Sequence, residues 1–591
     1  MADDKSLVGG AFLITESTPE QVFCPEDLSE EHRMIRDAAR DFVSKRVAPQ
    51  IEALELLDPE RMMALFKEAG ELGLLSTDVP EAYGGMGLDK VSSTVVAEAM
   101  SGSGSFSVVY AAHTGIGTLP IVYYGTEEQK AKYLPKLASG EWCAAYCLTE
   151  ADAGSDALNA RTTARLSEDG RSYIINGEKI FISNAGWASS FIVYAKVDGE
   201  HFTGFIVEKD YPGVSTGKEE KKMGVKGSST RPVIFEDAVV PVENVLHTIG
   251  KGHQIAFNVL NIGRWKLGAV SSGGCKACVQ EAVAYANKRI QFGQPISSFG
   301  MIQTKLADMT IRAYVNESVM YRLAGIFDAR MKGLDKTDGV AHAKAIEEYA
   351  AECSISKVYG SESADFCVDQ LVQIHGGYGF IAEYTAERLY RDARINRIWE
   401  GTNEINRMLV PGTLMRRAMQ GRLDLLNAAQ AVAGELMSYS PLSVQLPDTP
   451  LAMQQHMLSM SKKLTLMIAG VAVQKFGFEL SKEQEVLAAL ADMCIEVFAM
   501  ESALLRTLKL IEKRGEEKCA GQLDAMRCYV DDCIPKMERW AKTVATYCER
   551  GDMLRTQLAG IKKFMRYQPI DSIAAKRRLA KLVCERENYP F

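Results

Sequence analysis

The chain has 591 residues, enough for three or four domains and a substantial core. Its 47% hydrophobic and 24% charged residues are those of a globular protein, not of a disordered or fibrous one. A net charge of -8 argues against nucleic acid as the main partner, and thirteen scattered cysteines suit a reducing compartment better than a disulfide framework.

Residues 1–27 read as an N-terminal arm. Its start, Met1-Ala-Asp-Asp-Lys5, has no apolar core, so neither a secretory signal nor a transit peptide is expected. That predicts a bacterial cytoplasmic protein, at most peripheral to the inner membrane, or a mitochondrial matrix protein if the chain is mature and eukaryotic. Over 28–47, Met34, Ile35, Ala38, Ala39, Phe42 and Val43 recur at helical spacing behind Ser29, Glu30 and Glu31. This predicts a capped amphipathic helix opening a helical domain over 28–142. Residues 80–87 are loop.

The pattern changes at 143–250, which reads as a β domain. Tyr173-Ile174-Ile175 and Lys179-Ile180-Phe181-Ile182 flank Asn176-Gly177, a hairpin signal. Phe191-Ile192-Val193-Tyr194 and Phe205-Ile206-Val207 flank a second turn containing Asp198-Gly199. Helical periodicity returns over 251–420. Pro441, Pro447 and Pro450 mark a linker over 421–450, and 451–591 reads as a further helical domain. Within 251–420, Cys275-Lys-Ala-Cys278 has no second pair or histidine beside it, so a helix-buried thiol pair is expected and no metal site. The order α–β–α–linker–α describes an α+β multidomain chain. No strand–GxGxxG–helix unit exists, so any nucleotide cofactor is bound other than in the Rossmann manner.

Five segments carry chemistry. Glu400 follows Ile398-Trp399 and precedes Gly401-Thr402; an apolar wall raises a carboxylate toward the pKa of a working base, although an ordinary half-buried glutamate has the same neighbours. The run from Tyr146 through Leu148-Thr149 to Ser155-Asp156 offers small residues, hydroxyls and backbone N–H groups for a planar or phosphorylated ligand, or is simply a polar turn. Phe181-Ile182-Ser183 could place a ring face and a hydroxyl on one ligand, or merely end a strand. Arg289-Ile290-Gln291-Phe292 ends a helix, where arginine suits either phosphate or the helix dipole. Gln373-Ile374-His375-Gly376-Gly377 is a glycine turn that could meet a pyrophosphate or only cap a helix.

Together and in this order, these motifs resemble the acyl-CoA dehydrogenase family of flavoproteins over most of residues 28–415. The resemblance implies a helical domain, a β-barrel-like middle domain and a four-helix bundle holding FAD, followed by the extra helical domain. It implies that Tyr146, Leu148 and Thr149 line the flavin and that Ser155 touches FAD phosphate or the thioester region. Phe181 and Ser183 would cover the ring, with phenylalanine where relatives commonly carry tryptophan. Arg289, Gln291 and Phe292 would contact the ADP half of FAD held mainly by a partner subunit. Gln373, Gly376 and Gly377 would form the adenosine-pyrophosphate turn, and Thr402 and Glu404 would make further FAD contacts.

By the same resemblance Glu400 is the base that removes the α-proton of an acyl-CoA thioester while hydride leaves Cβ for the flavin. Trp399, Gly401 and Arg264 would border the substrate. Some relatives carry the base just before the arginine of an earlier helix; here that position is Gly263, which has no carboxylate. The Leu260-Asn261-Ile262-Gly263-Arg264 variant and the long extension resemble the very-long-chain branch. That implies fatty acid β-oxidation of long- or very-long-chain substrates, an electron-transferring flavoprotein as acceptor and a homodimer. Small residues at Ala111, Ala112, Gly115 and Gly117 could admit a long acyl chain or only pack helices closely. Met453, Met457, Leu458, Leu464, Leu466, Met467 and Ile468 could form a membrane-surface helix or the core of the extension. An oxidase of the same fold, discharging electrons to oxygen, and an assembly or scaffold protein retaining it are the alternatives.

Overall fold

The computed structural model describes residues 8–438, 441 and 445–591. The Met1-to-Lys5 start and linker residues 439–440 and 442–444 lie outside the described residues.

The helical domain comprises α1 (Glu30–Phe42), α2 (Ile51–Glu55), α3 (Pro59–Glu71), α4 (Lys90–Met100), α5 (Ser105–Ala111), α6 (Leu119–Tyr124) and α7 (Glu127–Ala138). Ser29 starts α1, its Oγ accepting the His32 N–H at 3.1 Å while Glu30 and Glu31 complement the helix dipole. The helix ends at Phe42 and passes into a wider turn over Val43–Val47, so the α-helix is shorter than the periodicity suggests.

The sheet contains β1 (Ala144–Cys147), β2 (Thr163–Leu166), β3 (Ser172–Ser183), β4 (Ser190–Val197), β5 (His201–Glu208), β6 (Val214–Thr216), β7 (Thr230–Pro241) and β8 (Val245–Leu246). Their order is β6-β7-β3-β2-β4-β5-β8, with β1 added parallel to β4, and β6 and β8 end the path. The β4–β5 hairpin turns at Asp198-Gly199 as expected. The Asn176-Gly177 hairpin does not exist. These residues lie inside the continuous strand β3, where the register against β7 shifts between Ile175 and Gly177. Asn176 spends its amide across the sheet, donating to Asp237 Oδ1 at 3.0 Å and accepting from the Asp237 N–H at 2.9 Å. A bulge uses the same residue types as a tight turn, so the local signal was ambiguous.

The bundle follows: α8 (Gly252–Lys288), a short pair β9 (Ile290–Gln291) and β10 (Gln294–Pro295), α9 (Gly300–Met331), α10 (Gly339–Glu347), α11 (Ala350–His375), α12 (Thr385–Ala393) and α13 (Asn403–Met419). Beyond it come α14 (Leu425–Ser438), α15 (Ala452–Phe476), α16 (Gln484–Arg514), α17 (Ala520–Cys548), α18 (Gly551–Phe564) and α19 (Ser572–Arg586). Because α14 lies within 421–450, that stretch is not the linker expected but carries a helix whose apolar residues pack on the core. Cys275 and Cys278 are both buried in α8.

The extension is fused to the rest by buried charge. Arg506 of α16 reaches Glu317 of α9 and Glu26 of the arm, both at 2.7 Å. Tyr589 also donates to Glu317 at 2.8 Å, and Lys276 of α8 pairs with Glu317 and with Glu98 of α4. Burial alone would raise the Glu317 pKa, but Arg506 and Lys276 outweigh it and hold it at about 2. On α15, Met457, Leu458, Leu464, Leu466, Met467 and Ile468 are buried and Met453 packs against the same core. The apolar face read as a candidate membrane surface is therefore spent on internal packing.

Candidate active site

Glu400 sits in a five-residue loop, residues 398–402, between the turn Arg394–Arg397 and the start of α13. Its backbone is left-handed, φ +56°, and Gly401 follows at φ +78°. For a non-glycine residue that conformation costs roughly 1–2 kcal/mol, so the surroundings must enforce it. Three side chains do. Arg264 of α8 donates Nε to the Glu400 carbonyl at 3.1 Å. Asn406 Nδ2 donates to the carbonyls of Gly401 at 2.8 Å and Thr402 at 3.0 Å, with Glu400 O at 3.4 Å. Lys357 of α11 donates Nζ to Gly401 O at 2.8 Å. Thr402 caps α13, its Oγ1 accepting the Ile405 N–H at 3.2 Å.

The carboxylate lies against Gly263, where an added Cβ would overlap Glu400 Oε2. Glu400 is half-buried as a residue, yet Oε2 is sealed from solvent and has no hydrogen-bond partner among the described residues. Burial pushes its pKa up to about 7, while Arg264 and Lys357 hold it back from rising further. An uncharged-to-charged transition near neutrality suits a general base. Tyr146 of β1 closes the sheet side of this region; its hydroxyl donates to Ala256 O at 3.4 Å, and the Glu400 charge adds to the burial that raises its pKa.

A second assembly lies at the C-terminal ends of α8 and α11. Arg289, Gln291, Gly376 and Gly377 line a cavity of about 610 Å³. A Cβ at Gly376 or Gly377 would meet no atom within 4 Å, and Gly376 has φ +61°, so bare backbone faces open space there. Tyr285 and Tyr378 also line it, and the sequence reading gave neither a role. Tyr285 stacks on His375 with ring centroids 4.0 Å apart, and Arg289 lies over the Tyr378 ring. The signal available was spacing, since Tyr285 and Arg289 are one helical turn apart. Phe292 and Gln373 do not line this cavity; both are exposed, Phe292 at 93%.

The β-domain candidates are arranged along the 146–156 segment. Leu148 is buried and Thr149 half-buried, while Ser155 is exposed on the following loop. Glu150, which the sequence reading passed over, anchors this segment: it accepts from Lys179 Nζ and Thr162 Oγ1, both at 2.6 Å, in a buried ion pair. Phe181 is exposed at φ +59° and Ser183 half-buried, at the far end of β3. Glu404 is exposed on the first turn of α13.

Does FAD fit these residues? Arg394 Nη1, Arg397 Nε and Trp399 Nε1 are buried donors with no partner among the described residues. Their need for acceptors matches a ligand rich in phosphate and carbonyl oxygens, and the open glycine turn beside Arg289 suits a pyrophosphate. The group fits.

A helical domain, a sheet and a helical bundle meet at one near-neutral carboxylate, the arrangement of an enzyme with a buried general base. Family models of the acyl-CoA dehydrogenase N-terminal domain (residues 29–141), middle domain (145–238) and C-terminal domain (250–415) match the chain, and a further C-terminal domain model matches 460–563. The chain belongs to the acyl-CoA dehydrogenase family, and FAD is its cofactor. It is 49% identical over 588 residues to the "Probable acyl-CoA dehydrogenase" of Bacillus subtilis (strain 168), covering 98% of each chain. Identity to the rat "Very long-chain specific acyl-CoA dehydrogenase, mitochondrial" is 39% over 439 residues, 72% of this chain and 63% of that one. Among solved structures, the Bacillus anthracis acyl-CoA dehydrogenase complexed with FAD superposes with a TM-score of 0.97 at 53% identity, covering 98% of this chain and 99% of that one.

Proposed function

We propose that this acyl-CoA dehydrogenase acts on long- or very-long-chain acyl-CoA, with Glu400 as its base, and passes the electrons to an electron-transferring flavoprotein. The observation that carries the base assignment is a carboxylate held at about pKa 7 in a strained loop, with one oxygen unpartnered and sealed. The long-chain assignment is supported by similarity to very-long-chain relatives and by the extension. It gains from Gly115, where an added Cβ has only Lys266 Cδ at 4.0 Å, whereas Gly117 is small because Ala144 crowds it.

The chemistry divides among groups of this chain. The Glu400 carboxylate takes the proton from Cα of the thioester. No hydrogen bond from the Glu400 backbone N–H is found among the described residues, which leaves it free to donate to the thioester oxygen as charge develops. Trp399 and Tyr146 exclude water around the carboxylate, keeping these electrostatic effects large. FAD, when bound, supplies the hydride acceptor. Arg289, Gln291, Gly376 and Gly377 would hold its ADP portion, in the case of Arg289 and Gln291 that of FAD held mainly by a partner subunit. Tyr146, Leu148, Thr149, Phe181 and Ser183 would line its ring system, and Thr402 and Glu404 would make further contacts.

Purified protein mixed with palmitoyl-CoA should lose its oxidised flavin absorbance without forming peroxide. Glu400→Gln should keep FAD and lose bleaching by a factor of at least ~10³. Bleaching that survives this change would remove Glu400 from the mechanism. A chain-length series then fixes the preferred acyl group, and peroxide formation would mark an oxidase instead.

A further inference from the structure

Two cations face the Glu400 carboxylate, and they are differently employed. Arg264 spends its guanidinium on Glu400 O and, at 2.9 Å, on Asn261 Oδ1. Lys357 is wholly buried and belongs to a chain of contacts leading away from the loop. Its Nζ donates to Gly401 O at 2.8 Å and to Asn403 Oδ1 at 2.6 Å. Asn403 Nδ2 donates in turn to Ser361 Oγ at 3.1 Å and Glu362 Oε1 at 3.0 Å. Glu362 is gripped by both terminal nitrogens of Arg407, at 2.7 and 3.0 Å.

We propose that Lys357 is a positioning residue for the base: its ammonium clamps the Gly401 carbonyl, ties the Glu400 loop to α11 through Asn403, and sets a positive charge facing the carboxylate. This rests on the reading of Glu400 as the base and adds the group that governs when it is ionised. The charged and titratable groups facing Lys357 are Glu400, Arg264, Glu404 and Glu362, and Tyr146 faces Glu400 from the sheet. Burial lowers the Lys357 pKa to about 7, with Glu400 the chief group opposing that fall. Base and clamp therefore change charge over the same interval, and each stabilises the other's ionised form. A lysine that only satisfied two buried oxygens would stabilise the loop without affecting the ionisation of Glu400.

The experiment follows flavin bleaching by palmitoyl-CoA in the FAD-loaded, full-length protein over roughly pH 5.5–9. Removing the positive charge leaves the carboxylate protonated to higher pH. Lys357→Met should therefore move the acidic limb of the rate profile up by about one unit and lower the plateau about tenfold. Lys357→Arg, which keeps the charge, should return the limb toward wild type. An unmoved limb in FAD-containing Lys357→Met overturns the inference. Should that variant fail to hold FAD, Asn403→Ala decides: it withdraws one acceptor from the ammonium, so the limb moves up by less, and an unmoved limb is again fatal. Wild-type protein that does not bleach at all overturns the functional reading and this inference with it, whereas normal wild-type bleaching with an unmoved variant limb overturns the inference alone.

Discussion

Gly263 and Glu400, far apart in the sequence, share one small volume: the glycine of α8 lies directly beneath the carboxylate, and any Cβ there would overlap Oε2. The absence of a side chain at 263 is thus what lets the Glu400 carboxylate occupy its place.

Gly263→Ala should drive the carboxylate out of that place without disturbing α8, since alanine favours helix. A displacement of about 1 Å commonly costs ~10²-fold in rate. Stopped-flow flavin reduction should show that loss with FAD content unchanged; an unaltered rate would mean that the carboxylate reacts from elsewhere.

The near-neutral pKa of Glu400 predicts a stability cost with a defined sign. Its folded value, about 7, lies above the ordinary carboxylate value of 4.5 in an unfolded chain. Between those values the folded state binds more protons, so stability falls as pH rises, by about 3 kcal/mol at most. Glu400→Gln removes that dependence. It should raise the melting temperature relative to wild type at about pH 8 and much less at about pH 5; equal differences at both would contradict the assignment.

Asn406 holds three successive carbonyls of the loop. Asn406→Leu should free Glu400 and Gly401 from their left-handed backbone and reduce flavin bleaching ~10–100-fold. FAD affinity measured by fluorescence should change far less than the rate. A matching loss of both would place the asparagine's role in cofactor binding.

Arg506 answers to two carboxylates, Glu26 and Glu317, from inside the protein. Arg506→Met should cost about 3–5 kcal/mol by leaving buried charge uncompensated. Limited proteolysis should then cut the arm near Glu26, whereas an intact arm and unchanged melting would show the network to be energetically neutral.

Elements whose pattern is set by burial along one face were legible in the sequence. The α1 helix with its Ser29 cap, the β4–β5 hairpin and the succession of helical, sheet and helical regions follow from local periodicity. Asn176-Gly177 misled because local composition cannot distinguish a bulge across β7 from a turn. At the site, Glu400 stood out through its apolar neighbours and the family motif around it. Lys357 and Glu150 did not, since each gains its role from a partner distant in the chain: Lys357 from the Gly401 carbonyl, Glu150 from Lys179. Tyr285 was hidden for a similar reason, because stacking on His375 joins the ends of two different helices.

The single apolar core that includes Tyr314 and Val315 of α9, Val358 of α11 and Leu490 and Val497 of α16 has a thermodynamic consequence. Bundle and extension bury one another's surface, so neither has a private transition in which to melt. Calorimetry should record them as one cooperative unit, and a chain ended at Met419 would expose much of that surface and aggregate instead of yielding a smaller enzyme.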